Sequence, residues 1–547
     1  MNDPLTTIST RRTPQSEPDP AVADRQKRNA GGGHAFKISD EARIHRFLTL
    51  GTTGGTFYAG EAELTKANAD VVLAAARDRG EWLVAEVVKI SVAGRAPKQN
   101  PAIFALAAVA GLGDEVARKA AFAHLSAVCR TGTTLFQFAT YVQQFRGWGR
   151  GLREAVGRWY LDRPVEDVAY QAVKYRQRDG WTHADLLRKA HPVFDRAADP
   201  ARSALLDWIV DGEYGEHIPP LVHAFERVQS PELPAAKVLA TIAEHPLSWE
   251  MLPDAARTPQ VWRALIAKGM PQTALMRQLP TLTRAGVLDD PGTLATVVTQ
   301  LVDPGRLRKA RVHPVNVLLA MRTYASGRSV RGSSSWTPKR AIIDALDAAF
   351  YAAYGAVEPA GKRTLIALDV SGSMGANISG LPLTAREAAA AISLVTLATE
   401  PACDIVGFTG GGLYGGGLYG SRRRQGPITE LSISPRQRLD DVVNYTSRLD
   451  FGSTDCSLPF QWAAEKGRDY DTVVVITDNE TWAGNVHPHQ ALAEYRRKVG
   501  HEVRQIVVGC TATDCSIADP LDPHSLDVAG FDSAVPNLIA DFSRGDV

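Results

Sequence analysis

The hydrophobic pattern of this 547-residue chain changes period near Gly361, and that change limits what the chain can fold into. From about Ser39 to Phe350 apolar residues recur at helical spacing. Residues 70–77, 81–89 and 101–109 each read as one amphipathic helix, with short Gly- or Pro-containing breaks between them. No strand-like alternation interrupts the series, so consecutive antiparallel helices are expected: an α-solenoid of HEAT type, although the letters show no strict repeat. After Gly361 strands and helices alternate. Strands are expected at 364–368, 404–408, 472–476 and 502–508, and helices at 384–396, 435–449, 458–467 and 489–499. That order predicts a doubly wound parallel sheet. The fold class is therefore multidomain, an α domain followed by an α/β domain. Residues 1–30, rich in Pro, Thr, Asp and Arg and poor in apolar side chains, read as a disordered arm; 31–355 form the helical domain and 356–547 the α/β domain.

A chain of this length exceeds one hydrophobic core. A net charge of +1 excludes a polycation, so any nucleic-acid surface has to come from local clustering. Cys129, Cys403, Cys456, Cys510 and Cys515 are odd in number, scattered and without zinc-ligand spacing, which points to a reducing cytoplasm. No apolar run suggests a secretory leader or a membrane span.

The first α/β strand is expected to end in Asp369, with Ser371 and Ser373 at alternate positions after it. These groups fall just past a strand's carboxyl end, where open α/β sheets bind ligands. Three oxygen ligands with one negative charge suit a hard divalent cation, Mg²⁺ best. Downstream, a second buried-strand run ends in Thr477-Asp478-Asn479-Glu480-Thr481, and Phe451–Asp455 is a polar loop before a helix. A plainer account makes Asp369 the N-cap of a serine-rich strand-to-helix turn, but capping does not require the later Thr454 and Asp478. The set Asp369, Ser371, Ser373, Thr454 and Asp478 resembles the metal-ion-dependent adhesion site of von Willebrand factor A (vWA) domains. That resemblance implies an open coordination position for a partner's carboxylate. The glycine-dense stretch Gly410–Gly420 with Ser421-Arg-Arg-Arg424 reads as a surface loop; it lacks the Gly-Lys-Ser/Thr ending of a phosphate cradle.

Two segments are locally basic. Lys174 to Lys189 mixes Lys174, Arg176, Arg178, Arg188 and Lys189 with Tyr175, Trp181 and His183; Arg146 to Arg153, which includes Arg150, has the same character. Cations interleaved with aromatics suit phosphate contacts plus base stacking. The second segment, Arg306 to Arg340, contains no Asp or Glu. The plainer reading is that basic helix faces are solvated, that Trp148 and Trp181 pack in the core, that His183 is buried or capping, and that Thr182 or Asp185 caps a helix.

These same residues carry a family likeness. Arg46–Tyr58, Gly147–Arg153, Lys174–Arg188, His245–Pro253, Ala345–Tyr351, Gly361–Arg363 leading into Asp369–Met374, Thr477–Thr481 and Asp527–Asp532 stand in order along nearly the whole chain. With them the sequence resembles the Ro autoantigen family of ribonucleoproteins, whose members join a TROVE domain to a vWA-like domain. The resemblance implies a ring of helical repeats with Y RNA on its basic outer face and single-stranded ends of misfolded non-coding RNAs in its central hole. Lys174, Arg176, Arg178, His183, Arg188 and Arg150 become the RNA-binding candidates. It also implies a role without catalysis in RNA quality control, or as an adaptor to an exoribonuclease such as polynucleotide phosphorylase. The alternative is a protein-interaction scaffold that uses the solenoid and the cation site.

Overall fold

The computed structural model describes residues 12–50, 61–93, 99–310, 312, 314–329, 333–376, 383–410, 427–449, 452–509, 515–529 and 535–546. Residues 411–424 of the glycine-dense loop, 51–58, Arg311 and Arg331 lie outside them. The strands in chain order are β1 (Gln26–Arg28), β2 (His34–Lys37), β3 (Gln177–Arg178), β4 (Trp181–Thr182), β5 (Arg363–Asp369), β6 (Ala402–Phe408), β7 (Ile428–Glu430), β8 (Thr472–Thr477), β9 (Arg504–Gly509), β10 (Cys515–Ser516) and β11 (Ser525–Ala529). The chain forms two compact units. One holds the described residues of Met1–Asn68, Arg311–Thr323 and Ala349–Val547; the other holds those of Ala69–Ala310 and Tyr324–Ala348. The described residues from Gly31 to Asn68 thus belong with the α/β unit, not with the helical domain the sequence pattern assigns them to.

In the helical unit the expected helix–turn–helix succession is present. Asn100–Leu112 is apolar nearly all round, and it is buried against Gly80–Val92, Glu115–Ala123 and Gly132–Phe145. Small residues allow that closeness: a Cβ on Gly111 would lie 2.3 Å from the Phe145 Cβ, and one on Gly80 would lie 2.7 Å from the Ala117 Cβ. Helix starts are fixed by side chains. Asp114 accepts from the Ala117 N–H, Asp199 from Arg202 and Asp290 from Thr293. One feature breaks the series the sequence read as purely helical. β3 and β4 form a two-stranded antiparallel hairpin, turned by Asp179 (φ 51) and Gly180 (φ 80). Positive φ at both central residues is a type I′ turn, and Asp-Gly is a strong signal for it.

In the other unit the six-stranded sheet has the order β11-β9-β8-β5-β6-β7. All pairs are parallel except that of the edge strand β7 with β6. β8 is buried along its whole length and β5 everywhere but Arg363, as strands covered on both faces require. Leu365, Ala367, Val473 and Val475 pack with Phe460, Trp462 and Tyr495 on one face. Ile366, Leu368, Val474 and Ile476 alternate to the other face and are equally buried. From β5 the chain crosses first to β6 on one side and later returns to β8 on the other. The carboxyl ends of β5 and β8 therefore flank the switch point of the sheet.

Residues 12–30 correct the expectation of a disordered arm. The segment carries β1, which pairs with β2, and β2 pairs in turn with β10. Its low apolar content misleads because polar side chains hold it: Gln15, Asp19, Gln26 and Asn29 are all buried, and each is hydrogen-bonded. Phe36 and Ala35 supply the apolar anchor. The helix Asp40–Leu50 then sends Arg46 to Asp527 on β11, with Nε donating to the carboxylate at 2.7 Å. This mostly buried ion pair joins two motif phrases that lie at opposite ends of the sequence.

Candidate nucleic-acid interface and cation site

The hairpin β3–β4 packs against the helix Gly132–Phe145 in the middle of the basic segment. Arg176 and Arg178 are exposed on it. The Arg176 guanidinium lies 5.2 Å from the Phe225 ring centroid, and the nearest carboxylate to Arg178 is Asp179 at 3.8 Å. Neither contact would hold its arginine against a phosphate, because exposed pairs contribute at most about 1 kcal/mol. At the far end of the hairpin Trp181 lies 5.7 Å from Trp148, and the Lys189 ammonium sits 5.6 Å and 5.8 Å from the two rings. A cleft of about 600 Å³ opens beside them, lined by Gln143, Gln144, Trp181, Asp185 and Lys189 among others. On the other side of the hairpin a second cleft of about 550 Å³ is lined by Arg176, Gln177, Thr182 and Trp208 among others. Arg150, with 93% of its side chain exposed, bonds Glu154 one turn on at 2.7 Å. Arg188 is exposed and donates to the Val210 carbonyl at 2.5 Å.

Two candidates sit differently from the expectation of a contact surface. Lys174 keeps only 17% of its side chain exposed: its ammonium donates to the Tyr170 hydroxyl at 3.1 Å and lies 3.9 Å from Glu250. His183 is a core residue, 3% exposed, so the structure removes it from the accessible surface. Its ring packs on Phe136 and Trp159, and its Nδ1 shares a hydrogen bond with the Tyr160 hydroxyl at 2.8 Å. Burial pushes its pKa down to about 4, against the upward pull of the Gln171 and Tyr175 carbonyls. The ring is held there because the helix His183–Ala190 starts at this point: the Asp185 N–H donates to the Thr182 hydroxyl, and the Thr182 N–H donates to the Asp185 carboxylate. That capping box answers which of Thr182 and Asp185 caps the helix: both do.

The described cations of the acid-free stretch are divided between the two units. Arg306 donates to the Met270 carbonyl and to Gln272, and Lys339 pairs with Asp289 at 2.8 Å. Arg322 belongs to the other unit and pairs with Glu387 at 3.0 Å and Asp440 at 2.6 Å. Arg308, Lys309 and Arg328 are exposed.

At the switch point Asp369, Ser371 and Ser373 are tied by hydrogen bonds, and Asp369 feels the charge of Asp478. Asp369 ends β5 and accepts from the Ser371 N–H at 2.8 Å and from the Thr477 hydroxyl at 2.7 Å. The residues after it form a short 3-10 turn, Gly372–Gly375, with Ser371 and Ser373 hydroxyls 3.0 Å apart. Asp369 is thus bound at the strand end and is not a helix cap. Asp478 follows β8, and the chain turns at buried Asn479 in the left-handed region (φ 65). Thr454 is buried, and its carbonyl accepts from the Trp482 and Ala483 N–H groups at 3.0 and 3.1 Å, which ties its loop to the loop after Asp478. Burial, and then the charge of Asp478, push Asp369 up to about 7. The outer oxygen of Asp478, Oδ2, is buried without a hydrogen-bond partner. Two crowded carboxylates, an orphaned buried oxygen and convergent hydroxyls are what a hard divalent cation would satisfy.

Sequence reading missed three parts of these sites. Thr477 bonds Asp369 directly, and its place in Thr477-Asp478 could have marked it. Arg386, on the helix Ala385–Thr399, feels the charge of Asp369, and nothing in its local sequence announces that. The Asp179-Gly180 turn was signalled by the dipeptide itself.

The family model described as the Ro60 vWA domain matches residues 363–543, and the model described as the TROVE domain matches residues 27–217 and 242–323. The chain is 40% identical, over the whole of both chains, to a protein of Deinococcus radiodurans named RNA-binding protein RO60. It is 33% identical to the protein of that name from Caenorhabditis elegans, across 96% of this chain and 91% of that one. Among solved structures, the crystal structure of the Deinococcus radiodurans RO (RSR) protein is similar with a TM-score of 0.75 and 40% identity. That likeness covers 93% of this chain and 100% of that one.

Proposed function

This chain belongs to the Ro60 family, in which TROVE and vWA domains are joined, and on that premise we propose that it binds structured RNA without catalysing a reaction on it. The observation that carries the reading is the β3–β4 hairpin, which offers Arg176 and Arg178 in weak contacts beside the Trp148–Lys189–Trp181 cluster. The arginines take phosphates, which positions a duplex by its shape. The two tryptophans and the ammonium accept an unpaired base by stacking. Arg188 and Arg150 extend the phosphate track, while Lys174 and His183 hold the hairpin's base in place. The RNA is a Y RNA, with single-stranded ends of misfolded non-coding RNA as a further ligand class. The relatives named as RNA-binding proteins support the coarse reading.

The vWA-type site holds Mg²⁺ through Asp369, Ser371, Ser373, Thr454 and Asp478. When bound, the cation supplies a Lewis-acidic position for a partner's carboxylate. The residues themselves place two carboxylates close enough that each feels the other's charge. Through that position the chain tethers its RNA to a protein, an exoribonuclease such as polynucleotide phosphorylase, in the cytoplasm. Among the described residues no helix is long and apolar enough to cross a membrane. Filter binding of a hairpin RNA at low and high salt tests the reading. Affinity should fall steeply with salt, because each neutralised phosphate releases counterions. Binding that is absent or indifferent to salt would leave the protein-scaffold reading instead.

A further inference from the structure

Gln15 is fully buried, yet every polar group it has is used at the cation site's edge. Its side-chain amide donates to the Asp455 carboxylate at 2.7 Å and to the Val486 carbonyl at 2.8 Å. Its side-chain oxygen accepts from the Thr481 hydroxyl. Its backbone N–H donates to Gly484 at 2.9 Å, and its carbonyl accepts from His34 at 2.8 Å. One side chain thereby joins two loops that the sheet itself does not connect. Asp455 neighbours Thr454, and Thr481 is three residues past Asp478.

The same segment grips the Asp478 loop a second time. Asn29 donates to the Thr481 carbonyl at 2.7 Å, and the Gly31 N–H donates to the Glu480 carboxylate at 2.8 Å. The fit leaves no slack: a Cβ on Gly33 would lie 2.1 Å from the Thr481 carbonyl oxygen, and one on Gly484 would lie 2.2 Å from the Gln15 amide nitrogen. Thr481 passes the constraint inward, since its hydroxyl also accepts from the Cys456 N–H at 3.0 Å.

We propose that residues 15–33 are a positioning strap for the cation site, with Gln15 as its key side chain. The strap fixes the Thr454 loop against the Asp478 loop, so that the ligands on both stand ready before the cation arrives. Ligands held in place by surrounding hydrogen bonds bind metal more tightly, and removing such an outer partner typically costs about 10–100-fold in affinity. The inference rests on the cation reading above but is separable from it.

The test is Mg²⁺ titration by calorimetry on the full chain. Its three variants are Gln15→Met, which keeps the volume and removes the amide; Asn29→Ala; and Arg12→Ala, which loses the surface pair with Glu494 but touches neither loop. Gln15→Met and Asn29→Ala are each expected to weaken Mg²⁺ about tenfold or more, with Arg12→Ala within about twofold and hairpin-RNA affinity unchanged in all three. Asn29→Ala carries the expectation alone if Gln15→Met does not fold. Unchanged Mg²⁺ affinity in the folded strap variants, with only a lower melting temperature, would overturn the strap and spare the cation site. No Mg²⁺ binding by the parent protein would overturn both.

Discussion

The exposed arginines of the hairpin give the sharpest quantitative expectation. Replacing Arg176 and Arg178 together by Ala removes two guanidinium groups whose contacts are weak: Arg176 over a ring at 5.2 Å and Arg178 beside a carboxylate at 3.8 Å. Releasing either for a phosphate costs little, so about 1 kcal/mol of binding should go with each, a loss of roughly thirtyfold for the pair. The salt response is more diagnostic. Each phosphate contact contributes roughly 0.7–0.9 to the slope of log K against log salt, so the slope should fall by about 1.4–1.8. Stability should stay within about 0.5 kcal/mol, because surface substitutions of this kind leave packing intact. Fluorescence anisotropy of a labelled hairpin RNA over a series of salt concentrations reads both quantities. An unchanged slope with unchanged affinity in the double variant would take the hairpin off the RNA path.

Other expectations follow from the same geometry. His183→Ser should act first on folding: it strands the buried Tyr160 hydroxyl and empties a ring-sized space, at a cost of about 3–5 kcal/mol in urea unfolding; a stable variant with weak RNA binding would contradict this. His183 stays neutral in the fold down to about 4, whereas the unfolded chain protonates it near 6.5. Its contribution is therefore full above the unfolded value and is lost as pH falls towards 4, by up to about 3 kcal/mol; melting curves of parent and His183→Gln across that window should converge at acid pH. Gly180→Val places a β-branched residue at positive φ and should disorder the hairpin turn, seen as faster amide exchange there and weaker RNA binding. Asp369→Ala should abolish Mg²⁺ binding in calorimetry while hairpin-RNA affinity stays within about twofold. Arg46→Ala leaves Asp527 buried without its cation, and should cost the α/β unit about 3–5 kcal/mol in chemical denaturation.

Much of the α/β unit was legible because buried parallel strands write continuous apolar runs. The runs ending at Asp369 and Thr477 placed β5 and β8 to within a residue. The helical unit was legible as a class, since period and breaks mark helices. Its hairpin was overlooked because two-residue strands carry too few residues for alternation to show, and only Asp179-Gly180 gave it away. The strap was misread because composition scores apolar content, while Gln15, Asp19, Gln26 and Asn29 are held by hydrogen bonds to partners more than 400 positions away or within their own turn. His183 shows the opposite failure. A histidine among arginines looks like a contact residue, and only the tertiary fold reveals that Phe136, Trp159 and Tyr160 enclose it.

The most direct test of the central claim is photo-crosslinking of a 4-thiouridine hairpin RNA to the full chain, with the modified peptides identified by mass spectrometry. The account predicts crosslinks concentrated between Tyr175 and Lys189, Trp181 foremost. Crosslinks confined to the α/β unit, with none on the hairpin, would contradict it.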